Sequence, residues 1–164
     1  MKITNLKIRK ATKTDLESLN KFSEQESLFA YNSLPQYFLC KPNLRWAEKE
    51  FGEILESNES FICVAELDKK ILGLFYMTKK TEDEYLRSDE EYADVHTFWI
   101  DGSAADQKNE TAKSLLLEAE KWARSQKIKE IRSLEFVQAN ANKEYYERAK
   151  FDTRNVGLFK DLNV

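Results

Sequence analysis

"VHTFWIDGSAADQKNETAKSLLLEAEKWA", residues 95–123, sets a strand in front of a helix, and the rest of the chain has to be built around that pair. Its first six residues are dominated by β-branched and aromatic types, the composition of a strand. From Ala112 onward, Ala112, Leu115, Leu116, Ala119, Trp122 and Ala123 recur at helical spacing and form one apolar stripe. A helix with a single stripe buries it against a sheet, so further strands are expected on either side.

Upstream, "SFICVAEL" (60–67) and "KILGLFYMTKK" (70–80) are β-rich runs joined at Asp68-Lys69-Lys70, a tight polar turn, and read as a hairpin. The start, "NLKIRKA", alternates as a strand with Leu6, Ile8 and Ala11 on one face. "TDLE" (14–17) then fits a capping box that opens a helix with Leu16, Leu19 and Phe22 inward. "SLFAYNSLPQYFLCKPN" (27–43) is aromatic-rich and broken by Pro35 and Pro42, which predicts a loop with at most one helical turn. "LRWAEKEFGEIL" (44–55) places Leu44, Ala47, Phe51, Ile54 and Leu55 at helical spacing, and "TEDEYLRSDEEYAD" (81–94) is an acidic connection. Downstream come a strand in "KEIRSLEFV" (129–137), a short helix in "NKEYYERA" (142–149) and a hairpin-like pair in "FDTRNVGLFKDL" (151–162). The order β-α-α-β-β-β-α-β-α-β-β predicts an α/β domain with a central mixed sheet and helices on both faces. At 164 residues, without repeats or a linker, residues 1–164 are expected to form one domain.

Composition narrows the partners. A net charge of −3 gives no basic face for nucleic acid, and no apolar run reaches membrane-spanning length. Cys40 and Cys63 with the single His96 suggest neither a disulfide framework nor a zinc site, so no metal is expected and the default is a cytoplasmic protein.

Several stretches resemble the GNAT superfamily of acyl-CoA-dependent N-acyltransferases. "KIRKATKTDLESL" is similar to that family's first strand and helix, "CVAELDKKILGLFYM" to its hairpin with a glycine, here Gly73, and "YYERAKFD" to its closing Tyr-Glu-Lys-x-Gly-Phe segment. The resemblance implies a GNAT-like fold splayed between its fourth and fifth strands, acetyl-CoA as cofactor, and a small-molecule or protein amine as acceptor. It also allows a homodimer. The family's Arg/Gln-x-x-Gly-x-Gly/Ala turn aligns with Gln107, with Glu110 on the central glycine and with Ala112. In such a turn, free amides at a helix start and the helix dipole receive the diphosphate of coenzyme A. The residues implied there are Gln107, Lys108, Asn109, Glu110, Thr111, Ala112 and Lys113.

Glu110 adds a Cβ and a negative charge where the family has glycine. Two readings stand side by side. Glu110 serves as the helix's own first-turn anion and displaces the cofactor, or it points outward and the surrounding amides still bind phosphate. The later Gly-Phe is replaced by Lys150-Phe151.

For the chemistry, Tyr146 matches the family's tyrosine five residues before Phe151, implied as the acid that protonates the departing thiolate; Tyr145 is its neighbour and alternative. A backbone amide around Trp99 or Ile100 is implied as the oxyanion donor. His96, two residues after Asp94, suits proton abstraction from an ammonium but is equally a half-buried sheet residue. Alternation puts Asp94, His96 and Phe98 on one face, so Asp94 or His96 could look into the substrate cleft. Asn140 and Asn142 resemble the family's cofactor-contacting asparagine, and Asn142 is also a ready helix N-cap. The acidic 81–94 stretch could attract a cationic amine. Phe29, Tyr31, Tyr37 and Phe38 fall where relatives build the acceptor pocket. The function implied is N-acetyltransfer by direct attack. The alternative, carried by Glu110 and Lys150, is a catalytically degenerate domain acting as a binding or regulatory module.

Overall fold

The hairpin lies at the centre of the sheet. In the computed structural model, which describes residues 5–33, 46–81, 91–102, 107–133 and 142–152, β2 (Ser60–Leu67) and β3 (Lys70–Lys80) pair antiparallel. Asp68 and Lys69 between them have φ of 48° and 67°, the doubly left-handed turn whose twist matches that of the strands it joins. β1 (Lys7–Lys10) pairs antiparallel with β2, and β4 (Tyr92–Ile100) pairs antiparallel with β3. β5 (Ile131–Ser133) runs parallel to β4, so the sheet is mixed, in the order β1-β2-β3-β4-β5.

Each face of the sheet carries its own apolar core. α1 (Leu16–Ser33) and α2 (Glu48–Glu56) close one, where Leu19, Phe22 and Phe51 meet Val64 and Leu74. α3 (Lys108–Ser125) and α4 (Lys143–Arg148) close the other. The predicted stripe of α3 is buried at Ala112, Leu115, Leu116, Ala119 and Ala123. Trp122 lies at its edge and stacks on Phe61, ring centroids 5.4 Å apart. Gly73 lets α3 sit close to the sheet. A Cβ there would stand 3.0 Å from Leu115 Cδ1, 3.1 Å from the Trp99 carbonyl oxygen and 3.2 Å from Thr111 Cγ2.

Three local expectations change. The capping box forms two residues early: the Thr12 amide and hydroxyl donate to the Asp15 carboxylate at 2.7 and 2.9 Å and open a 3-10 turn over Lys13–Asp15. Arg9 selects this register by donating to both oxygens of Asp15 at 2.7 and 2.8 Å. Ala11 joins the α1/α2 core while Leu6 and Ile8 pack on the other, because an odd step along an alternating strand changes face. α1 runs on to Ser33 and takes in Phe29 and Tyr31, since the first breaker, Pro35, lies beyond it. Tyr37, Phe38, Cys40, most of the acidic stretch, Asn140 and the final hairpin-like segment lie outside the described residues.

Candidate active site

β4 is the strand on which the candidate residues converge. Its register against β3 goes from Tyr76↔Thr97 to Met77↔Val95, which leaves His96 as the extra residue of a bulge. The bulge resets the alternation. Ala93 and Val95 before it, and Phe98 and Ile100 after it, all pack in the α3/α4 core. Phe98 therefore does not share a face with Asp94 and His96, which corrects the sequence-based pattern.

His96 lies on the α1/α2 side, its ring centroid 5.0 Å from that of Tyr76, and its Nε2 is 2.7 Å from the Thr78 hydroxyl. Desolvation by these neighbours lowers the imidazole below its ordinary 6.5. The Asp94 charge opposes that effect and Lys80 reinforces it, leaving the ring readily neutral. On the same face, Trp99 Nε1 donates to Gln25 of α1 at 3.0 Å, and Phe29 meets the Trp99 ring edge-on at 6.1 Å.

The backbone of β4 also separates its candidate donors. The Asp101 amide donates to the Leu72 carbonyl, and the Trp99 carbonyl points at Gly73, so both residues face β3. Alternation then turns Phe98 and Ile100 to the opposite edge. Of the two predicted oxyanion amides, Ile100 thus presents its N–H to the β5 side, whereas that of Trp99 belongs to the β3 ladder.

Beside that edge, β5 pairs with β4 only over Ala93–Val95 among the described residues. At Phe98 the carbonyl instead accepts a hydrogen bond from the Asn142 side chain, which is buried. Asn142 occupies the N-cap position of α4 but its side chain makes no cap bond there. It joins α4 to β4 instead. Tyr146, one turn on, is buried against Phe98 at 5.4 Å and accepts a hydrogen bond from the Ser133 hydroxyl of β5 at 3.2 Å. Its neighbour Tyr145 meets Phe98 edge-on at 6.1 Å; burial, with the Glu144 charge, raises its phenol and keeps it protonated.

Tyr145 also lines a cleft of about 340 Å³ between α3 and α4. Ala112, Leu116 and Ala149 are among its apolar residues, and Asn109, Glu110, Lys113, Glu120 and Arg148 are its polar ones. The cleft runs along α3 from its first turn, at Asn109 and Glu110, as far as Glu120. Gln107 is the N-cap, its carbonyl accepts the first helical bond from Thr111, and the amides of Lys108, Asn109 and Glu110 have no partner within the helix. Glu110 is exposed at this end of the cleft, as are Asn109 and Lys113. Thr111 faces the sheet, fully buried, and its hydroxyl has no partner among the described residues. Sequence reasoning brought this helix start to light but missed Arg148, whose Nη1 reaches Asn109 at 2.5 Å. A spacing of 39 residues leaves no local pattern that could have signalled the contact.

The family model described as the acetyltransferase (GNAT) family matches residues 27–151. Among solved structures, a point mutant of the BH1408 protein from Bacillus halodurans superposes with a TM-score of 0.81 at 13% identity, covering 95% of this chain and 99% of that one. A predicted acetyltransferase with acetyl-CoA from Clostridium acetobutylicum gives 0.68 at 15% identity, with 96% of each chain covered. The aminoglycoside acetyltransferase AAC(6')-Iy in complex with a bisubstrate analog gives 0.70 at 14% identity, over 98% of this chain and 100% of that one. At these identities the structural likenesses establish the fold alone. No curated protein matches the sequence.

Proposed function

Because the chain belongs to the GNAT acetyltransferase family, we propose that residues 1–164 form one domain that acetylates a primary amine from acetyl-CoA by direct attack. The observation that carries this reading is the meeting of three features at Phe98. The β4 edge beyond its described pairing with β5, the buried Tyr146 and the Tyr145-lined cleft all touch that residue or its direct neighbours.

The residues present fit the cofactor. First-turn amides without partners in the helix and the Lys113 ammonium suit a phosphate chain, and Ala112, Leu116 and Ala149 offer apolar contact beside it. Acetyl-CoA, when bound, supplies an acyl group activated as a thioester. The Ile100 amide is the donor for negative charge developing on an acyl oxygen. The Tyr146 hydroxyl holds the proton that a departing sulfur requires. His96, kept neutral by partial desolvation, accepts a proton from an ammonium acceptor on the α1/α2 side. Asp94 raises the basicity of His96 and adds negative charge for a cationic substrate. AAC(6')-Iy is named as an aminoglycoside acetyltransferase. Small polycationic amines are accordingly the first acceptor class to test.

One observation favours the second reading, a binding or regulatory module without catalysis: an acidic side chain, Glu110, lines the cleft in the first turn of α3. Calorimetric titration with acetyl-CoA, followed by an acetyl-transfer assay on aminoglycosides and polyamines, separates the two. Binding with transfer supports the enzyme. No heat at millimolar cofactor selects the module.

A further inference from the structure

Glu110 places a negative charge where a glycine would leave only amides, so an incoming diphosphate meets repulsion unless a nearby cation offsets it. The charged rim of the α3–α4 cleft consists of Glu110, Glu120, Lys113 and Arg148. Arg148 and Lys113 are the cations among these four, and Arg148 is also ion-paired with Glu144 just outside the lining. Arg148 also differs from Lys113 in being held. Its Nη1 donates to the Asn109 side-chain oxygen at 2.5 Å, and its Nη2 donates to Glu144 at 3.2 Å. Asn109 belongs to the first turn of α3, so a guanidinium from α4 is fixed beside the amides that lack helical partners. These bonds use two of its five N–H groups among the described residues, and the planar fork that remains is suited to paired phosphate oxygens.

The geometry points to Arg148, on the position of the lysine in the family's Tyr-Glu-Lys-x-Gly-Phe segment, as a diphosphate-binding residue for coenzyme A whose charge offsets that of Glu110. This rests on the proposed use of coenzyme A by the chain. Lys113, exposed on a flexible stem, contributes a more mobile charge.

The test measures binding of two probes, coenzyme A and pantetheine, which lacks the diphosphate, by calorimetry on the full chain. Arg148→Ala removes both the charge and the tie to Asn109. Arg148→Gln removes the charge but keeps a donor for Asn109, and thermal melting of both variants without ligand checks the fold. Either variant is expected to bind coenzyme A about tenfold more weakly, the effect of one charge contact of this kind. Pantetheine affinity should stay as in the wild type, and the coenzyme A difference should shrink as salt rises. Unchanged coenzyme A affinity in folded Arg148→Gln overturns the assignment. An equal loss for both probes overturns it too, since Arg148 would then act only by shaping the cleft. If the wild-type protein binds neither probe, the proposed cofactor use fails and the assignment falls with it.

Discussion

Lys150 ends α4 with φ of 64°, a left-handed conformation in which a side chain is strained. The Phe151 amide donates to the Tyr146 carbonyl and the Lys150 amide to that of Glu147, both at 3.0 Å, the paired bonds of a Schellman cap. The family resemblance puts glycine at this position, and the backbone keeps the glycine's conformation without it. Lys150→Gly should therefore raise stability by about 0.5–1 kcal/mol and the melting temperature by roughly 1–4 °C. A lower melting temperature would mean that the lysine side chain contributes more than its backbone strain costs. At Asp15, burial alone would raise the carboxyl. The Arg9 hydrogen bond, the Thr12 amide and hydroxyl and the Arg9 charge together outweigh burial and hold it below its ordinary 3.8. The stability contributed is complete above the ordinary carboxyl range and is lost as pH falls through the depressed one. Asp15→Ala should cost about 2–3 kcal/mol at pH 7, leaving Arg9 short of a partner, and less in strong acid; denaturant midpoints across pH measure this. Thr12 with Asp15 and Thr14 with Glu17 have the same spacing, so sequence alone could not choose between them. The choice depended on Arg9, which lies on a strand.

Secondary structure was legible wherever composition and spacing are local. The β2–β3 hairpin, β4 and the α3 stripe all stand where their residues place them. The bulge at His96 was not legible, because "VHTFWI" alternates equally well with or without it. Only the pairing of Tyr76 with Thr97 and Met77 with Val95 reveals it. Gly73 is where the hairpin and α3 depend on each other. Gly73→Ala would bring a methyl 3.1 Å from the Trp99 carbonyl, a backbone atom that cannot swing aside, and 3.0 Å from Leu115. The expected cost is about 1–3 kcal/mol from overpacking, read as a lower denaturant midpoint. Since relief requires moving α3, coenzyme A affinity should fall in the same variant. A full-strength midpoint would show that Leu115 and Thr111 yield without the helix moving.

The whole molecule sets its two candidate catalytic groups on opposite faces of one sheet. His96 lies with the α1/α2 core and Tyr146 with the α3/α4 core, and β4 is the element that serves both. If His96 is the base, kcat/KM should rise with pH through a midpoint below 6.5, because desolvation outweighs the Asp94 charge. Asp94→Asn removes the opposing charge and should move the midpoint lower still, whereas His96→Gln should abolish that limb. A limb unmoved in Asp94→Asn assigns the titration to another group. The amino-acid sequence by itself determined the order of the described elements as far as α4, the stripe of α3 and the candidate positions Tyr146, His96 and Glu110, since each is carried by spacing or motif along a short run. Tertiary structure alone decided which edge of β4 presents its amide, that Asn142 leaves its helix to hold the Phe98 carbonyl, and that Arg148 stands at the α3 start. Asn142 and Phe98 are 44 residues apart and Arg148 and Asn109 are 39 apart. Contacts across such distances are made only once both cores have packed against the sheet, and no local periodicity encodes them.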